Sequence, residues 1–165
     1  MSNADDLKLI IEQEKTLVFS EFDELVAFRL GSAIRERALA QNLVVAVEIR
    51  KGPRPLFHAT LPGNNLDNTN WLRRKGNLVH YMHKSSYRVV LEKSFPEDYF
   101  PPRRGMDNME FVLAGGGYPI WVKGAGMVGS LAVSGLPDRE DHRLAVAVLC
   151  DFLGHDAAAL NLPAR

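Results

Sequence analysis

A pair of histidines within one predicted helix is the feature of this sequence most suggestive of a metal or cofactor site. His80 and His83 stand three residues apart, so on a helix both imidazoles reach the same side. Two such imidazoles can ligate a metal, or one of them can ligate haem iron. A pair without a third ligand nearby is also common by chance, and a solvated or subunit-contact surface is the alternative.

The basic residues that precede this pair are suited to hold an anion. Arg74 and Lys75 can bind a phosphate, a propionate or a carboxylate, although a plain charged helix surface is the alternative. Lys75 lies about 40° from Trp71 on the apolar side of the predicted helix. Its ammonium must therefore reach solvent along the side-chain stem or find an anionic partner, for which Asp67 and Glu92 are the candidates.

Three consecutive glycines precede a predicted strand. Gly115, Gly116 and Gly117 allow positive φ and the close approach of a ligand or of another backbone. Because a strand follows them, and not a helix, they lack the setting of a phosphate-cradling loop. The loop and the adjoining Tyr118 can wall a pocket, and a plain turn or bulge is the alternative.

A weaker candidate for acid–base chemistry is His142, which follows Asp141 in the last predicted helix. Adjacent residues on a helix diverge by about 100° and cannot serve each other. Asp141 is better explained as a capping partner of Asp138. No Ser-His-Asp order, paired catalytic carboxylates or nucleophile elbow can be assembled. The residues therefore leave catalysis undecided and favour binding over it.

Composition limits the classes of function. The 165 residues are 46% apolar, enough for one domain with one core. Lys+Arg and Asp+Glu both number 20, so no overall field attracts nucleic acid or an anionic membrane. The single cysteine excludes an internal disulfide. No run of about 18 apolar residues is present, and the acidic first residues are unlike a secretory signal, so a cytoplasmic location is expected.

The elements that position these residues alternate between helices and hairpins. Strands rich in β-branched residues are predicted at 43–50, 55–61, 118–122 and 127–133, each pair flanking a turn with glycine. The first strand directs Val45, Val47 and Ile49 to one face. Helices are predicted at 5–16, 20–41, 70–93 and 138–153, the second opened by a capping box from Ser20 to Asp23, and the proline-rich stretch 94–105 is predicted to be a loop.

Two of the predicted helices present surfaces suited to another subunit. The helix at 20–41 has an apolar arc too wide for a helix half in water, so packing on two sides is predicted. In the helix at 70–93, Gly76, His80, His83 and Tyr87 form a stripe opposite the apolar face. A mid-helix glycine costs about 1 kcal/mol relative to alanine, so a neighbouring subunit is expected to pack against Gly76. A homo-oligomer is therefore predicted.

Several motifs taken together resemble a known family. They are Asp67-Asn68 with Trp71 and Arg74-Lys75, then Ser85-Ser86, Gly116-Gly117-Tyr118-Pro119-Ile120, and Val133-Ser134-Gly135-Leu136-Pro137 with Asp141-His142. This combination, spread from about residue 20 to residue 152, resembles the uncharacterised protein family 0303 of the GlcG/HbpS-like superfamily, which is often labelled a haem-degrading domain.

The resemblance implies an α+β fold of the profilin-like type. Such a fold has three layers, α/β/α, with an antiparallel sheet of about five strands flanked by helices. The four predicted strands leave one to be placed, for which residues 110–113 are the candidate. The resemblance also implies homo-oligomers, and because superfamily relatives bind haem, it makes haem or another tetrapyrrole a candidate ligand at a subunit boundary.

The leading hypothesis is a single GlcG/HbpS-like domain over residues 1–165, with a core at about 20–153, that binds a small ligand as a cytoplasmic homo-oligomer. The predicted ligand-binding residues are Asn68, Trp71, Arg74, Lys75, Gly116, Gly117 and Tyr118, with His80 and His83 as weaker haem or metal candidates. One alternative is an enzyme acting on haem or a small metabolite with His142 as acid or base. Another is an assembly or adaptor protein. Neither nucleic acid nor a membrane is expected as a partner.

Overall fold

Twelve segments of regular structure lie within the described residues, most of them in the order that the sequence predicts. The computed structural model describes residues 2–93, 95 and 100–164. The helices are α1 (Asn3–Thr16), α2 (Glu24–Ala40), α3 (Leu66–Met82), α4 (Ser86–Leu91), α5 (Asp138–Leu153) and α6 (Ala157–Leu160), with a 3-10 turn at Pro102–Arg104. The strands are β1 (Val18–Phe19), β2 (Ala46–Lys51), β3 (Arg54–Thr60), β4 (Gly117–Val122) and β5 (Gly126–Ser134).

One five-stranded sheet joins the two hairpins, in the order β1-β4-β5-β2-β3. β2 pairs with both β3 and β5 in antiparallel register, and Val47 lies opposite Val133. The fifth strand is β1, which runs parallel to β4 with Val18 opposite Trp121. The expectation that residues 110–113 supply it is wrong. A two-residue strand carries too little periodicity to be recognised in a sequence.

Helices cover both faces of the sheet. The face bearing Val45, Val47 and Ile49 packs under α2 and α5 and forms the largest core. The opposite face packs under α3, with Ala46 and Ala132 against Leu72. This is the three-layer α/β/α arrangement that the family resemblance implies, and the predicted fold class is confirmed.

The long helix predicted at 70–93 is two helices. α3 starts at Leu66, where the Asn65 side chain accepts hydrogen bonds from the N–H groups of Asp67 and Asn68. It ends at Met82, because the next residue, His83, has a left-handed backbone with φ 53°. Ser85 then caps α4. His83 is not glycine or proline, so the break left no strong signal in the sequence. Its consequence is that His83 and Tyr87 do not continue a stripe on α3.

The starts of two other helices also differ from the predicted ones. Asp23, and not Ser20, caps α2 by accepting a hydrogen bond from the Val26 N–H. α5 has Pro137 at its cap position and no side-chain cap hydrogen bond. The capping role predicted for Asp138 is therefore wrong. Asp141 reaches back to the Leu136 N–H instead, at 3.0 Å.

Gly76 packs against this chain's own sheet. A Cβ at this position would lie 2.4 Å from Nη2 of Arg50, the last but one residue of β2. The glycine thus admits a guanidinium between α3 and the sheet, and the neighbouring subunit expected at this position is not needed to explain it.

α1 is fastened to the rest of the chain mostly by buried polar groups. Arg139 donates to both carboxylate oxygens of Asp6, at 2.8 and 3.2 Å. Gln13 lies 2.8 Å from His142 Nε2, and Glu14 accepts from the Ser85 N–H at 2.8 Å. These contacts tie α1 to both α5 and the start of α4.

None of the helices in the described ranges is long and apolar enough to cross a bilayer. In the proline-rich stretch predicted as a loop, residues 94 and 96–99 lie outside the described residues, and the described part contains the 3-10 turn.

Both the backbone conformation and the space at position 116 require glycine, and this leads to a stability prediction. Its φ is +113°, and a Cβ would lie 2.3 Å from the Val133 carbonyl oxygen, whereas Gly124, at φ +78°, faces open space. Gly124→Ala should therefore cost only the strain of the left-handed backbone, about 1 kcal/mol. Gly116→Ala should cost clearly more, because backbone must also move. Urea unfolding of both variants tests this, and equal losses would contradict the backbone clash.

Candidate functional site

Two of the cavities that flank α3 differ in charge and in lining. We call the larger one the arginine cavity. It has a volume of about 640 Å³ and lies between the β2–β3 turn, α3 and the segment near residue 110. Its walls are basic, amide and aromatic side chains together with turn residues: Arg50, Gly52, Pro53, Arg73, Asn77, His80, Tyr81, Glu110 and Phe111.

The charge of the arginine cavity is positive. Two guanidinium groups face one carboxylate, and Arg73 pairs with Glu110 at 2.7 Å. Arg50 is buried and donates from Nη2 to Asn77 Oδ1 at 3.0 Å and to the Arg73 carbonyl at 3.3 Å. Its Nε lies 3.2 Å from Glu48 but has no aligned hydrogen-bond acceptor among the described residues. Each guanidinium thus has one carboxylate beside it, while the lining residues themselves carry one more positive than negative charge.

His80 lines this cavity with a neutral imidazole. Burial lowers its pKa, and the positive charge of Arg50 and the proximity of His83 lower it further. Its Nε2 is buried and has no hydrogen-bond partner in the described part of the chain. A buried ring nitrogen without a partner is costly, so a group that coordinated it or donated a hydrogen bond to it would remove that cost. The aromatic wall beside it consists of Tyr81 and Phe111, whose rings pack edge to face with their centroids 5.5 Å apart.

The smaller cavity, which we call the lysine cavity, has a volume of about 260 Å³ and lies where α3, the end of β5 and the start of α5 meet. Three of the predicted ligand-binding residues, Asn68, Trp71 and Lys75, line it together. Their spacings of three and four residues place them on one side of α3. The other walls come from the β5–α5 connection: Ser134, Gly135, Leu136, Asp138 and Asp141.

A buried ion pair forms the base of the lysine cavity. Lys75 Nζ donates to Asp141 Oδ2 at 2.8 Å and to the Val133 carbonyl at 3.0 Å, and both side chains are at most 2% exposed. The prediction that Asp67 or Glu92 would be the anionic partner of Lys75 is wrong. Contacts between α3 and α5 are made by tertiary folding, so helical spacing along α3 could not identify Asp141.

Burial raises the pKa of Asp141 to about 6, even though Lys75 and the N–H groups of Leu136 and Gly135 favour its ionised form. The ordinary value is 3.8, so the folded state holds this proton more tightly than the unfolded chain. The contribution of Asp141 to stability is therefore complete below about pH 4 and is lost as the pH rises through about 6.

Polar contacts orient the walls above this pair. Ser134 donates to Asn68 Oδ1 at 3.1 Å, which leaves the Asn68 amide N–H groups for other acceptors. The indole N–H of Trp71 donates to Asp67 at 3.0 Å. The Arg74 guanidinium lies over the Trp71 ring, 5.2 Å from its centroid. Arg74 thus buttresses the aromatic wall and does not itself line the cavity.

The glycine loop lies behind the ion pair. A Cβ on Gly116 would lie 3.1 Å from Lys75 Nζ. Gly117 packs against Val79, and its N–H donates to the Ser86 hydroxyl at 2.8 Å. Tyr118 points to the opposite face of the sheet and is buried in the core under α2 and α5. The structure therefore brings Gly116 to the lysine cavity and separates Tyr118 from it.

The remaining histidine candidates lie apart from one another. His83 is exposed just after α3, and its ring centroid lies 6.4 Å from that of Trp121 in an edge-to-face arrangement. Its left-handed backbone removes the helical geometry on which a joint site with His80 depends. In the described ranges no three His, Cys, Asp or Glu side chains cluster as metal ligands.

His142 is fully buried between the rings of Tyr87 and Tyr118, and its Nε2 contacts Gln13. Burial lowers its pKa to about 3, so the ring is neutral and accepts a proton weakly near pH 7. It lines neither the arginine nor the lysine cavity. Acid–base work by His142 would require a substrate to reach this interior position.

Most of the arginine cavity was not anticipated from the sequence. Arg50 and Glu48 alternate with apolar residues in the strand now defined as β2, which is typical of a strand with one face in water. In a sheet covered on both sides, the same charges must find partners under a helix. The alternation of Glu48 and Arg50 with apolar residues therefore indicates buried charges only if the three-layer fold is assumed beforehand.

Similarity to known proteins agrees with this architecture. A family model described as haem degrading protein HbpS-like matches residues 22–150. A UPF0303 protein of Mesorhizobium japonicum is 53% identical over 162 residues, covering 98% of this chain and 97% of its own length. The chain belongs to the HbpS-like family. Its UPF0303 relatives also confirm the resemblance inferred from the motifs.

Two solved structures show the same fold. The protein Ybr137w has a TM-score of 0.80 and 29% identity, over 91% of this HbpS-like chain and 89% of that one. PduOC, crystallised as a haem complex, has a TM-score of 0.65 and 22% identity, over 81% of this chain and 94% of that one.

The buried pair at the base of the lysine cavity predicts a large, pH-dependent loss of stability on removing one partner. Lys75→Met leaves Asp141 buried without its cation and should lower the free energy of unfolding by about 3–5 kcal/mol. The loss should be greater at about pH 8 than at about pH 5, because the unpaired carboxyl takes up a proton at the lower pH. Denaturant unfolding at both pH values measures it.

Lys84→Met is the matched control, because Lys84 pairs with Glu92 at 2.8 Å with both side chains partly exposed. It should cost about 1 kcal/mol or less. The double variant Lys75→Met/Asp141→Asn should recover part of the Lys75→Met loss. Equal effects of the two lysine substitutions would show that the buried pair has no special role.

Proposed function

We propose that this HbpS-like protein binds haem or another flat, acidic tetrapyrrole in the arginine cavity. The observation that carries the proposal is the set of groups on that cavity: a neutral imidazole with an unpartnered nitrogen, two guanidinium groups and an aromatic wall. The family description and the haem complex of PduOC support the choice of ligand.

The residues present fit such a ligand in size and chemistry. A volume of about 640 Å³ falls within the range of about 300–1,000 Å³ typical of ligand pockets. Arg50 and Arg73 suit propionate carboxylates through forked hydrogen bonds, and Tyr81 and Phe111 suit the faces of a flat ring. His80 would supply an imidazole nitrogen to hold the iron. Bound haem supplies an iron that takes such a ligand and undergoes one-electron chemistry.

The site that the sequence favoured suits this ligand less well. The lysine cavity is smaller, at about 260 Å³, and contains two aspartates against one lysine. The two aspartate carboxylates would repel the propionates of a tetrapyrrole. Lys75 already donates two of its three N–H groups to Asp141 and the Val133 carbonyl. We therefore assign the tetrapyrrole to the arginine cavity.

We also propose that the protein works as a homo-oligomer assembled through α2 and the edge strand β3. Leu25 and Phe28 on α2 are 70% and 60% exposed. The ring centroid of Phe28 lies 6.2 Å from that of Phe57 on β3. β3 ends the sheet and has no outer partner among the described strands. An unprotected edge beside an apolar patch favours pairing with another chain.

Haem titration tests the ligand and the site together. Wild-type protein should bind haemin in a 1:1 ratio with a shifted Soret band, and His80→Ala should change that band and weaken binding about tenfold or more. Because the pKa of His80 lies below 6.5, the bound spectrum should persist at pH 6.5 and be lost only at lower pH, where the imidazole takes up a proton.

His58→Ala is the control, since His58 is a partly exposed histidine of β3 outside the cavity and contacts Glu48 at 3.5 Å. It should bind haemin as the wild type does. His83→Ala tests the second histidine candidate separately. Identical spectra for wild type and His80→Ala would place the ligand elsewhere.

Light scattering of the purified protein tests the oligomer. The wild type should contain several chains at micromolar concentration, and Phe28→Glu should dissociate it, because the substitution buries a charge at the interface. Leu66→Glu changes another apolar side chain, 81% exposed at the start of α3, and should leave the mass unchanged. A wild-type monomer would refute the assembly.

A further inference from the structure

We propose that the lysine cavity is a second ligand site, which takes a small uncharged polyhydroxylated molecule such as a polyol or a monosaccharide. It is separate from the arginine cavity, with which it shares no lining residue. The inference therefore does not depend on haem binding. Three features of the cavity support it: its charge balance, its hydrogen-bonding groups and its aromatic wall.

The charges around the lysine cavity disfavour an anion most strongly, and Lys75 at its base disfavours a cation. An anion would approach the carboxylates of Asp138 and Asp141, while the ammonium of Lys75 is already held by Asp141 and the Val133 carbonyl. A cation would find the Asp138 carboxylate, but it would also meet the Lys75 ammonium at the base of the cavity. Bringing a like charge toward either set costs free energy. A ligand without net charge avoids both penalties.

The polar groups offer both donors and acceptors at close spacing. The Ser134 hydroxyl gives its proton to Asn68 Oδ1, so Ser134 keeps acceptor lone pairs and Asn68 keeps its two amide N–H groups. Asp138 adds a carboxylate acceptor on the same cavity. A hydroxyl group both donates and accepts, and several adjacent hydroxyls match such an array. A ligand that carries acceptors only would give no hydrogen bond to the acceptor oxygens of Ser134 and Asp138.

The opposite wall is apolar and fixed in place. Trp71 lines the cavity, its indole N–H is held by Asp67 at 3.0 Å, and Arg74 supports its ring. An indole held in this way gives the C–H face of a hydroxylated ring or chain a flat surface to pack on. The volume of about 260 Å³ limits the ligand to roughly the size of a single sugar ring.

Trp71 itself can report occupancy. The chain has two tryptophans, so Trp121→Phe leaves Trp71 as the sole indole emitter. In that background, glycerol, myo-inositol, ribose and glucose are titrated up to about 10 mM, a range that still reveals millimolar affinity. At least one of these polyols should change the Trp71 emission saturably. Inorganic phosphate and ethylammonium, as anionic and cationic probes, should not.

Matched variants locate the binding. Ser134→Ala and Asn68→Leu should each raise the dissociation constant for the responding polyol about tenfold or more, whereas Asn77→Ala, on the arginine cavity, should leave it unchanged. Ser134→Ala keeps the proposal testable if Asn68→Leu folds poorly. Haemin binding should be the same in Ser134→Ala as in wild type, so failure of either site is seen separately. Saturable binding of phosphate or ethylammonium through Ser134, or no saturable response to any of the four polyols, would overturn the proposal.

Discussion

The contact between Lys75 and Asp141 is the interaction on which the arrangement around α3 depends. It joins the middle of α3 to the first turn of α5 and also engages the Val133 carbonyl and the Leu136 N–H. Each ion would be costly alone in this interior, because neither reaches water. Gly116 completes the arrangement, because a Cβ there would clash with the Val133 carbonyl that accepts from Lys75 and would lie 3.1 Å from the ammonium itself. The ion pair, the β5–α5 connection and the glycine loop therefore hold one another in place.

α3 contributes walls to two cavities of opposite charge. Residues at 73, 77, 80 and 81 face the arginine cavity, which has a surplus of positive charge. Residues at 68, 71 and 75 face the lysine cavity, which has a surplus of negative charge. Both sets follow the three- and four-residue spacing of a helix. Because one rigid helix carries both walls, the two cavities can differ in the ligands they select without any change in the fold.

The first helix lies outside the matched family region, which begins at residue 22, yet the structure fastens it firmly. Its buried Asp6 and Gln13 contact Arg139 and His142 of α5. This explains why His142 is buried and neutral. The side chain that looked most like an acid or base is, in the folded chain, a hydrogen-bond partner for α1.

The sequence by itself determined the class of fold, two hairpins with their inward faces, the helices that cover them and the membership in a family. Those features depend on local periodicity, turn residues and motif combinations, all of which are visible in a linear chain. It also placed Trp71 and Lys75 on one side of a helix, because residues at helical spacing share a side whatever surrounds them. Asn68 was predicted to precede that helix, and the structure places it within α3 beside them. Only the tertiary structure decided that Asp141 pairs with Lys75, that Val18–Phe19 completes the sheet and that Arg50 reaches Asn77. Those contacts join residues far apart in the chain, and their existence depends on how the layers pack, which no local spacing encodes.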